Sequence, residues 1–432
     1  MKKVNITSLG CSKNLVDSEV LAGQLKKRKY TFTENAPEAD IIIINTCGFI
    51  ESAKNESLQA IFEAIKIKDD YKNKQIYVTG CLSQRYKEQL QHEIPEIDAV
   101  FGTEDYRNIL KTLGDNHFNA ENLYQLRSQL TPKHFAFIKI SEGCNHTCSF
   151  CAIPGIRGKH RSRTIEDILK EAEVLAANGV REILIVSQDT SYYGKDLYGK
   201  QKIIELLCEL ANTKLFEWIR PLYWYPTNFP IEFISLINRI DSIVPYIDMP
   251  IQHASDKVLK LMRRAETNLR LKKMFKKFRE IRPDIALRTT LILGHPGETA
   301  DDFNLLLDFL QEIQFDRVGT FTYSDEDGTH AFNLPDKVSR KVAETRRSRL
   351  MELQQEISAE KNKSLVNTIQ KVIIDSYNTS EQNYIGRTYR DAPEVDNEVL
   401  ISNHSVDPEL IGTFHNILIK DYSEYELYGE FK

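Results

Sequence analysis

The sequence has 432 residues, of which 28% are charged and 41% hydrophobic, and its net charge is −5. These values are ordinary for a globular protein, and they exclude a disordered chain, a collagen-like repeat and a protein that is basic throughout. At roughly 150 residues per domain, the length predicts about three domains. The sequence has no apolar run near the roughly 18 residues of a membrane span and no signal-peptide pattern, so we expect a cytoplasmic protein.

The first hundred residues alternate apolar runs with helical patterns. Strands are predicted at Val4–Ser8, Ile41–Ile44, Gln75–Thr79 and near Asp98–Phe101. This alternation predicts a doubly wound parallel sheet. Cys11, Cys47 and Cys81 each follow one of the first three strands, and loops at the carboxyl ends of parallel strands converge. We therefore expect the three thiols to meet at one edge, with three separate buried thiols as the alternative.

A second series of strands begins after a polar connector at residues 115–133. Six strands are predicted, at Phe135–Ile140, Glu182–Ser187, Glu217–Tyr223, Tyr246–Ile251, Ala286–Leu293 and Arg317–Tyr323. Helical segments separate them, and this repetition predicts an open, partial β/α barrel with its active site at the carboxyl ends of the strands. A long charged helix, Val338 to about Lys363, is expected to pack outside this barrel.

The last part of the chain changes to short alternating stretches split by turn residues. These stretches are Gln370–Ile374, Tyr384–Thr388, Glu398–Ile401 and Thr413–Lys420. The pattern is typical of a small all-β barrel or sandwich. We therefore predict domains over residues 1–115, 130–363 and 364–432.

The loop after the first predicted barrel strand contains Cys144, Cys148 and Cys151 in a C-x3-C-x2-C arrangement. Three thiolates in one loop can bind one metal centre, but a structural zinc site normally has four ligands. In a 4Fe-4S cluster, three cysteines leave one iron open, which can bind the amino and carboxylate groups of S-adenosylmethionine. The zinc alternative would need His146 or His160 as a fourth ligand.

The spacing C-x3-C-x-aromatic-C, with Phe150 as the aromatic, resembles the motif of the radical S-adenosylmethionine superfamily. The segment LILGHPGE, residues 291–298, is similar to the glycine-containing strand end that contacts adenosine in that superfamily. The resemblance implies that Phe150 and Gly294 contribute to binding S-adenosylmethionine. A tight turn after a strand is the simpler explanation of the glycine.

Three segments and the three-domain layout narrow the resemblance to methylthiotransferases. The segments are LGCSKNLVDSE, NTCGFI and TGCL, which surround Cys11, Cys47 and Cys81. The resemblance implies a C-terminal TRAM-like domain and two 4Fe-4S clusters, a radical cluster on Cys144, Cys148 and Cys151 and an auxiliary cluster on Cys11, Cys47 and Cys81. The seventh cysteine, Cys208, lies in an apolar helical pattern and is expected in the core.

The charge of the last domain bears on the substrate, because this family modifies either an adenosine in transfer RNA or an aspartate in ribosomal protein S12. Residues 364–432 carry five basic and twelve acidic side chains, a net −7, whereas the rest of the chain carries +2. An acidic module repels a phosphate backbone and attracts a basic protein. A solvated acidic surface is the alternative, but the segments at 11–19, 153–159 and 248–254 also resemble the aspartate-directed branch.

The expected function is therefore methylthiolation of the β-carbon of an aspartate in ribosomal protein S12. The resemblance implies that S-adenosylmethionine serves both radical generation and methyl donation, and that an electron donor and a sulfur source are partners. Direct RNA binding by the C-terminal domain is not expected. A transfer-RNA adenosine methylthiotransferase and a non-catalytic iron-sulfur or zinc protein that docks on ribosomes are the alternatives.

Two further features lie near the predicted cluster loops. The basic stretch Arg157–Arg163 would place positive charge near an anionic cluster, although an exposed basic stretch has the same pattern. Gln188 and Asp189 follow the second barrel strand, where they could contact cofactor or substrate. Helix capping is the other explanation for Asp189.

Overall fold

The computed structural model describes residues 2–71, 73–115, 118, 120–403 and 406–432. The N-terminal domain begins the chain with alternating strands and helices. Its elements are β1 (Lys3–Ser8), α1 (Ser12–Lys27), β2 (Thr31–Phe32), β3 (Ile41–Thr46), α2 (Glu51–Asp70), β4 (Gln75–Gly80), α3 (Cys81–Glu93), β5 (Ala99–Val100) and α4 (Tyr106–Thr112). The strands form one parallel sheet in the order β2-β1-β3-β4-β5.

Both faces of this sheet are covered, as expected for a doubly wound parallel sheet. Alternate residues of β3 point to opposite faces, so Ile41 and Ile43 pack with α1 and α4, whereas Ile42 and Ile44 pack with α2 and α3. The continuous apolar run of β3 is explained by this burial on two sides.

The central domain contains the predicted barrel. Its strands are β6 (Phe135–Lys139), β7 (Ser141–Glu142), β8 (Arg161–Ser162), β9 (Glu182–Val186), β10 (Trp218–Pro221), β11 (Tyr246–Asp248), β12 (Ala286–Leu293) and β13 (Arg317–Thr322). Its helices are α5 (Ile153–Arg157), α6 (Ile165–Ala177), α7 (Lys195–Tyr198), α8 (Ile203–Asn212), α9 (Glu232–Ile237), α10 (Asp256–Leu261), α11 (Asn268–Ile281), α12 (Ala300–Ile313) and α13 (Arg340–Lys363).

The barrel is an open one made of two parallel halves. One half has the order β10-β9-β6 and the other β11-β12-β13. A main-chain bridge between Ile219 and Ile243 joins the halves. All six predicted barrel strands are present, and α13 packs against β13 and α12, outside the barrel.

The ends of several barrel helices are set by side-chain caps. The Thr164 hydroxyl accepts a hydrogen bond from the Asp167 amide at the start of α6, and Thr299 and Asp302 form a reciprocal capping box on α12. Ser339 caps α13, which therefore begins at Arg340 rather than at the predicted Val338.

The C-terminal domain is a closed β barrel that confirms the predicted all-β fold. Its strands are β14 (Ile369–Asn378), β15 (Asn383–Arg387), β16 (Glu398–Ser402), β17 (Phe414–Tyr422) and β18 (Glu426–Phe431), in the order β14-β15-β16-β18-β17. It packs on the amino-terminal ends of the central strands, where Arg387 pairs with Glu182 at 2.9 Å and Asp391 pairs with Arg317 at 2.5 Å. This domain and the cluster loops therefore lie at opposite ends of the central strands.

The predicted connector at 115–133 lies partly outside the described residues. Its later part packs on α1, where Arg127 forms ion pairs of 2.6 Å with Glu19 and 2.5 Å with Glu171. The connector thus ties the N-terminal domain to the barrel instead of crossing open solvent. The exact domain boundaries stay a prediction.

Candidate functional site

Three cysteines lie where successive strands of the N-terminal sheet end. Cys11 immediately precedes α1 after β1, Cys47 directly follows β3, and Cys81 is the first residue of α3 after β4. Two of the thiols thus lie at helix N-termini, where the backbone amides favour negative charge.

The loops that carry these cysteines are closely nested. A Cβ atom at Gly10, which has a φ of +87°, would lie 2.7 Å from Sγ of Cys47. A Cβ atom at Gly48 would lie 2.6 Å from Cα of Leu82. The glycines therefore allow the three loops to approach, and the structure brings Cys11, Cys47 and Cys81 to one edge of the sheet.

The second triad lies in the loop after the first barrel strands, at their carboxyl ends. The Cys144 amide donates to the Gly158 carbonyl at 3.0 Å, and the Cys151 amide donates to the Cys148 carbonyl at 3.1 Å. Gly143, with φ of +80°, has no room for a side chain, since a Cβ atom would lie 2.3 Å from the Lys159 carbonyl oxygen. The loop is thus held by its own backbone.

Burial raises the pKa of four of the six thiols. It raises the pKa of Cys81 and of Cys144 to about 11 and that of Cys151 to about 12, and it also raises the pKa of Cys47. Metal binding to such thiols releases their protons, because the thiolate is the ligand. The clustered thiols, of which Cys81 is buried, Cys11 exposed and the other four half-buried, fit a metal centre at the surface between the domains.

Neither triad has the spacing of a single tetrahedral zinc site in this structure. Tetrahedral zinc with Zn–S bonds of about 2.3 Å places its sulfurs about 3.8 Å apart. Within the described residues, neither cysteine triad has all its sulfurs within 4.8 Å of one another. His146, considered as a fourth ligand, instead has Nε2 at 2.7 Å from Asp189, and Nε2 of His160 lies 3.1 Å from the Ser162 hydroxyl. The donor sets fit a larger, sulfur-ligated cluster.

A group of three carboxylates lies between the two triads. Their oxygens approach within 4.8 Å of one another, and they belong to Asp17, Glu104 and Glu142. Lys139 contacts all three, with 2.8 Å to Glu104 and 2.7 Å to Glu142. The ammonium group of Lys139 therefore supplies the positive charge that a bound metal ion would otherwise supply.

Arg157 physically connects the two cysteine loops. It lies at the end of α5, shortly after Cys151, and one of its terminal nitrogens donates to Sγ of Cys81 at 3.3 Å. The other pairs with Asp17 at 2.6 Å and with Glu142 at 3.1 Å. Of the basic stretch predicted at 157–163, Arg157 is buried, whereas Lys159 and Arg161 are exposed.

Further contacts hold the N-terminal domain over the barrel opening. The buried carboxylate of Glu326, after β13, pairs with Lys54 at 2.9 Å and with Arg85 at 2.7 Å. Lys13, next to the Cys11 loop, lies 3.5 Å from the ring centre of Tyr223, which follows β10. The loops that carry the two cysteine triads are therefore held next to each other across the domain boundary.

A cavity of about 130 Å³ lies at this domain boundary. Its lining includes Phe49 and Ile50 from the Cys47 loop, Phe150 from the second cysteine loop, and Thr290 and Ile292 from β12. The walls are mostly apolar, and they come from both domains. Phe150 thus lines this inter-domain cavity, and its predicted role in S-adenosylmethionine binding stays a prediction.

Gly294 is placed differently from Phe150. It is absent from the lining of this cavity, and its φ is +79°. A Cβ atom at this position would lie 2.5 Å from Cβ of Ala343 in α13. Close packing against α13 therefore explains the glycine, and the predicted contact with S-adenosylmethionine stays a prediction.

Gln188 and Asp189 both face the cysteine loops. Gln188 donates to Glu142 at 2.7 Å, and Asp189 contacts the ring of His146, which stacks on Tyr225 with 3.7 Å between ring centres. The Asp189 side chain makes no capping hydrogen bond, so capping does not explain it. Cys208, the seventh cysteine, was predicted in the core and instead lies half-buried at its edge.

Family models match three separate parts of the chain. Residues 3–102 match Uncharacterized protein family UPF0004, residues 138–310 match the Radical SAM superfamily, and residues 366–431 match the TRAM domain. Membership of the radical SAM superfamily implies S-adenosylmethionine and one 4Fe-4S cluster as cofactors.

Curated relatives match nearly the whole chain. Proteins named ribosomal protein uS12 methylthiotransferase RimO are 47% identical in Flavobacterium johnsoniae, covering 99% of this chain and 98% of the relative, and 46% identical in Clostridioides difficile, covering 100% and 99%. The corresponding protein of Acetivibrio thermocellus is 44% identical, with 99% and 98% covered. This chain belongs to the RimO family of methylthiotransferases. It is therefore a radical enzyme of the class that the cysteine motif predicted.

Solved structures support the fold alone. The radical S-adenosylmethionine methyltransferase TsrM from Kitasatospora setae matches with a TM-score of 0.54 at 13% identity, covering 86% of this chain and 80% of that one. The cobalamin-dependent radical enzyme OxsB matches with a TM-score of 0.53 at 14% identity, covering 82% and 62%. A RimO-type arrangement thus shares its overall architecture with radical enzymes of other kinds.

Sequence reasoning missed several side chains of this RimO-family site. Arg264 lies over the ring of Tyr225 at 4.4 Å, both side chains interact electrostatically with Cys148, and burial raises the pKa of the Tyr225 hydroxyl. Lys13 lies within the segment LGCSKNLVDSE, but that segment predicts no separate role for it. Glu326 lies in no recognised sequence motif. Each of these residues meets partners that are distant in sequence, so a local pattern carries no signal for them.

Proposed function

We propose that the chain transfers a methylthio group to the β-carbon of an aspartate in ribosomal protein uS12, with S-adenosylmethionine as the source of both the radical and the methyl group. The observation that carries this proposal is the position of the two cysteine triads. They come from different domains, their loops line one cavity, and they are joined through Arg157, which contacts Cys81 and lies shortly after Cys151.

The triads are assigned to two 4Fe-4S clusters, a radical cluster on Cys144, Cys148 and Cys151 and an auxiliary cluster on Cys11, Cys47 and Cys81. When bound, the clusters supply reductive cleavage of S-adenosylmethionine and a site for the sulfur to be transferred. A proton-transfer route would be slow at the unactivated β-carbon, which is why such cofactors are needed.

The chain's own side chains shape the reaction space. Phe49, Ile50, Phe150 and Ile292 give the cavity an apolar lining from two domains. Such a lining excludes water from reactive intermediates. Glu326, with Lys54 and Arg85, holds the N-terminal half of the lining in place.

The charge of the C-terminal domain supports a basic protein as substrate. Three of its acidic side chains are already paired with arginines. Asp391 and Asp396 pair with arginines of the central domain, and Asp375 pairs with Arg387 of the C-terminal domain. Among the described residues of this domain, the exposed acidic side chains are still in excess, eight against the exposed Lys371, Lys420 and Lys432. This surface attracts a basic protein and repels a phosphate backbone.

Intact-mass analysis of uS12 after anaerobic incubation with the reconstituted enzyme, S-adenosylmethionine, reductant and sulfide tests the proposal. We expect the added mass of one methylthio group, located on an aspartate by fragmentation. Replacing Cys11, Cys47 and Cys81 together by alanine should abolish the product, whereas C208A should retain it because Cys208 belongs to neither triad. Formation of deoxyadenosine without any change in uS12 would contradict the assigned substrate.

A transfer-RNA substrate is tested by binding over a salt series. We expect uS12 to bind and transfer RNA to bind weakly at every salt concentration. Tight transfer-RNA binding that weakens steeply with salt, together with methylthiolation of an adenosine, would replace the proposed substrate.

Metal analysis tests the division of the cysteines. Two 4Fe-4S clusters predict about eight irons per chain, and alanine at Cys144, Cys148 and Cys151 should leave about four. C208A should keep about eight. Full iron content in the triple variant would contradict the assignment of the radical cluster, and absence of deoxyadenosine from the wild-type enzyme would favour a non-catalytic iron-sulfur protein.

A further inference from the structure

Arg157 is a buried arginine whose guanidinium reaches into the N-terminal domain. Its side chain is 2% exposed. One terminal nitrogen donates to Sγ of Cys81 at 3.3 Å and to Oδ1 of Asn14 at 3.1 Å. The other donates to Asp17 at 2.6 Å and to Glu142 at 3.1 Å.

These partners use the particular shape of an arginine. A guanidinium has five N–H donors in a fixed plane, whereas a lysine has a single flexible point charge. Three of the partners, Cys81, Asn14 and Asp17, belong to the N-terminal domain, and Glu142 precedes the second cysteine loop. The acidic partners hold the cation in place, so that its N–H group stays directed at the cysteine sulfur.

We propose that Arg157 sets the redox equilibrium of the auxiliary cluster by donating a hydrogen bond to the Cys81 thiolate. This inference rests on the proposed function, which assigns Cys81 to that cluster. Reduction adds negative charge to an iron-sulfur cluster, and a cationic N–H donor at a ligand sulfur stabilises the more negative state. Arg157 therefore raises the reduction potential of the auxiliary cluster, and it acts as a positioning residue through the ligand it contacts.

The other triad has a counterpart that serves as a matched control. Arg264 interacts electrostatically with Cys148, and it is held by the Pro250 carbonyl at 3.0 Å and by Glu266 at 3.3 Å. It is buried, as Arg157 is. Each triad thus has one buried arginine at one cysteine, and replacing either arginine should affect one cluster only.

The test is a redox titration of full-length protein, followed by electron paramagnetic resonance. The background variant has alanine at Cys144, Cys148 and Cys151, so that its iron signal comes from the auxiliary cluster. In this background we expect R157Q and R157K to keep about four irons. Each should lose at least tenfold in the one-electron reduction equilibrium, a fall of about 59 mV in midpoint potential. R264K should leave this potential unchanged.

The possible outcomes separate this inference from the proposed function. Iron retained with an unchanged potential in both Arg157 variants overturns the inference alone. If R157Q loses its iron, the midpoint potential of R157K tests the inference instead. The lysine cation can pair with Asp17 and Glu142 without reaching the Cys81 sulfur. Loss of iron from both variants shows a purely structural role and also overturns the inference. Absence of iron from the background variant itself overturns the auxiliary cluster, and the inference with it.

Discussion

His253 is a buried histidine in the barrel that stays neutral. Its Nδ1 accepts a hydrogen bond from the Ser255 amide at 2.9 Å, and its side chain is fully buried. Nε2 has no hydrogen-bond partner among the described residues and lies 3.7 Å from Glu298. Burial lowers the pKa of His253 to about 3, and the charge of Asp302 offsets this only in part.

This histidine makes the stability of the barrel depend on pH. Between the unfolded pKa of about 6.5 and the folded pKa of about 3, the unfolded chain binds a proton that the folded chain does not. The contribution of neutral His253 to the free energy of unfolding is therefore complete above pH 6.5. Below pH 6.5 the free energy of unfolding falls by up to about 1.4 kcal/mol per pH unit. In H253N, we expect the anaerobic melting temperature to fall less between pH 7 and pH 5. The exposed His92 supplies the control H92N, and equal slopes for H253N and the wild type would contradict the prediction.

For single residues, the sequence predicts the role of the cysteines better than the role of the side chains that surround them in the folded chain. The cysteine spacings are local, so they can be found without a fold. Arg157 lies in a basic stretch whose members look alike in sequence, yet Arg157 is buried and Arg161 is exposed. The difference comes from Cys81 and Asp17, which only the folded chain brings near.

The loop between β1 and α1 depends on a glycine. Gly10 has φ of +87°, and a Cβ atom there would lie 2.6 Å from Cβ of Cys47. G10A should push the Cys47 loop away from Cys11, and we expect the iron content to fall from about eight to about four per chain. Iron analysis and methylthiolation of uS12 both measure this loss.

A matched control separates crowding from backbone strain. Gly114 has a similar φ of +93°, but a Cβ atom there would have no described atom outside its chain neighbours within 4 Å. G114A therefore introduces comparable strain in the same domain without crowding, and it should keep about eight irons. Equal iron loss in G10A and G114A would show that strain, rather than the approach of the loops, causes the effect.

Element prediction succeeded where burial imposes a period on the sequence. The buried strands β3 and β12 were found because their apolar residues form continuous or alternating runs. The two-residue strand β2, Thr31–Phe32, was missed because it is too short to show a period and is exposed. Helix α3 starts at Cys81, directly after Gly80, whose φ of +102° ends the strand without a polar cap.

The position of the N-terminal domain depends on an ion cluster between domains. Glu326 is buried and pairs with both Lys54 and Arg85. Removing one member of such a buried cluster leaves a desolvated charge unpaired, at a cost of about 3–5 kcal/mol. In E326Q we expect deoxyadenosine formation to continue while methylthiolation of uS12 falls at least tenfold, because the two triads no longer share a closed space. Hydrogen exchange in α2 and α3 should rise.

An exposed ion pair in the same domain provides the comparison. Lys3 and Glu38 lie 3.2 Å apart, with about half of each side chain exposed. Surface pairs of this kind contribute little because water screens them. E38Q should match the wild type in both products and in hydrogen exchange. A wild-type ratio of the two products in E326Q would contradict the role of the cluster.

The C-terminal domain has a consequence for how far a substrate must extend. Tyr246, the first residue of β11, donates to Asp396 at 2.6 Å, so the acidic barrel is attached at the end of the strands remote from the cysteines. The eight residues of β12 span about 26 Å, well beyond a screening length of about 8 Å at physiological salt.

A short peptide around the target aspartate should therefore react without sensing the acidic domain. We expect salt to raise the KM of whole uS12 severalfold and to leave the KM of the peptide nearly unchanged. In the variant E398K/D421K, salt should raise the KM of whole uS12 less than in the wild type. The KM of the peptide should be the same in both proteins. The C-terminal domain would then favour basic partners that are long enough to reach it from the cysteine loops.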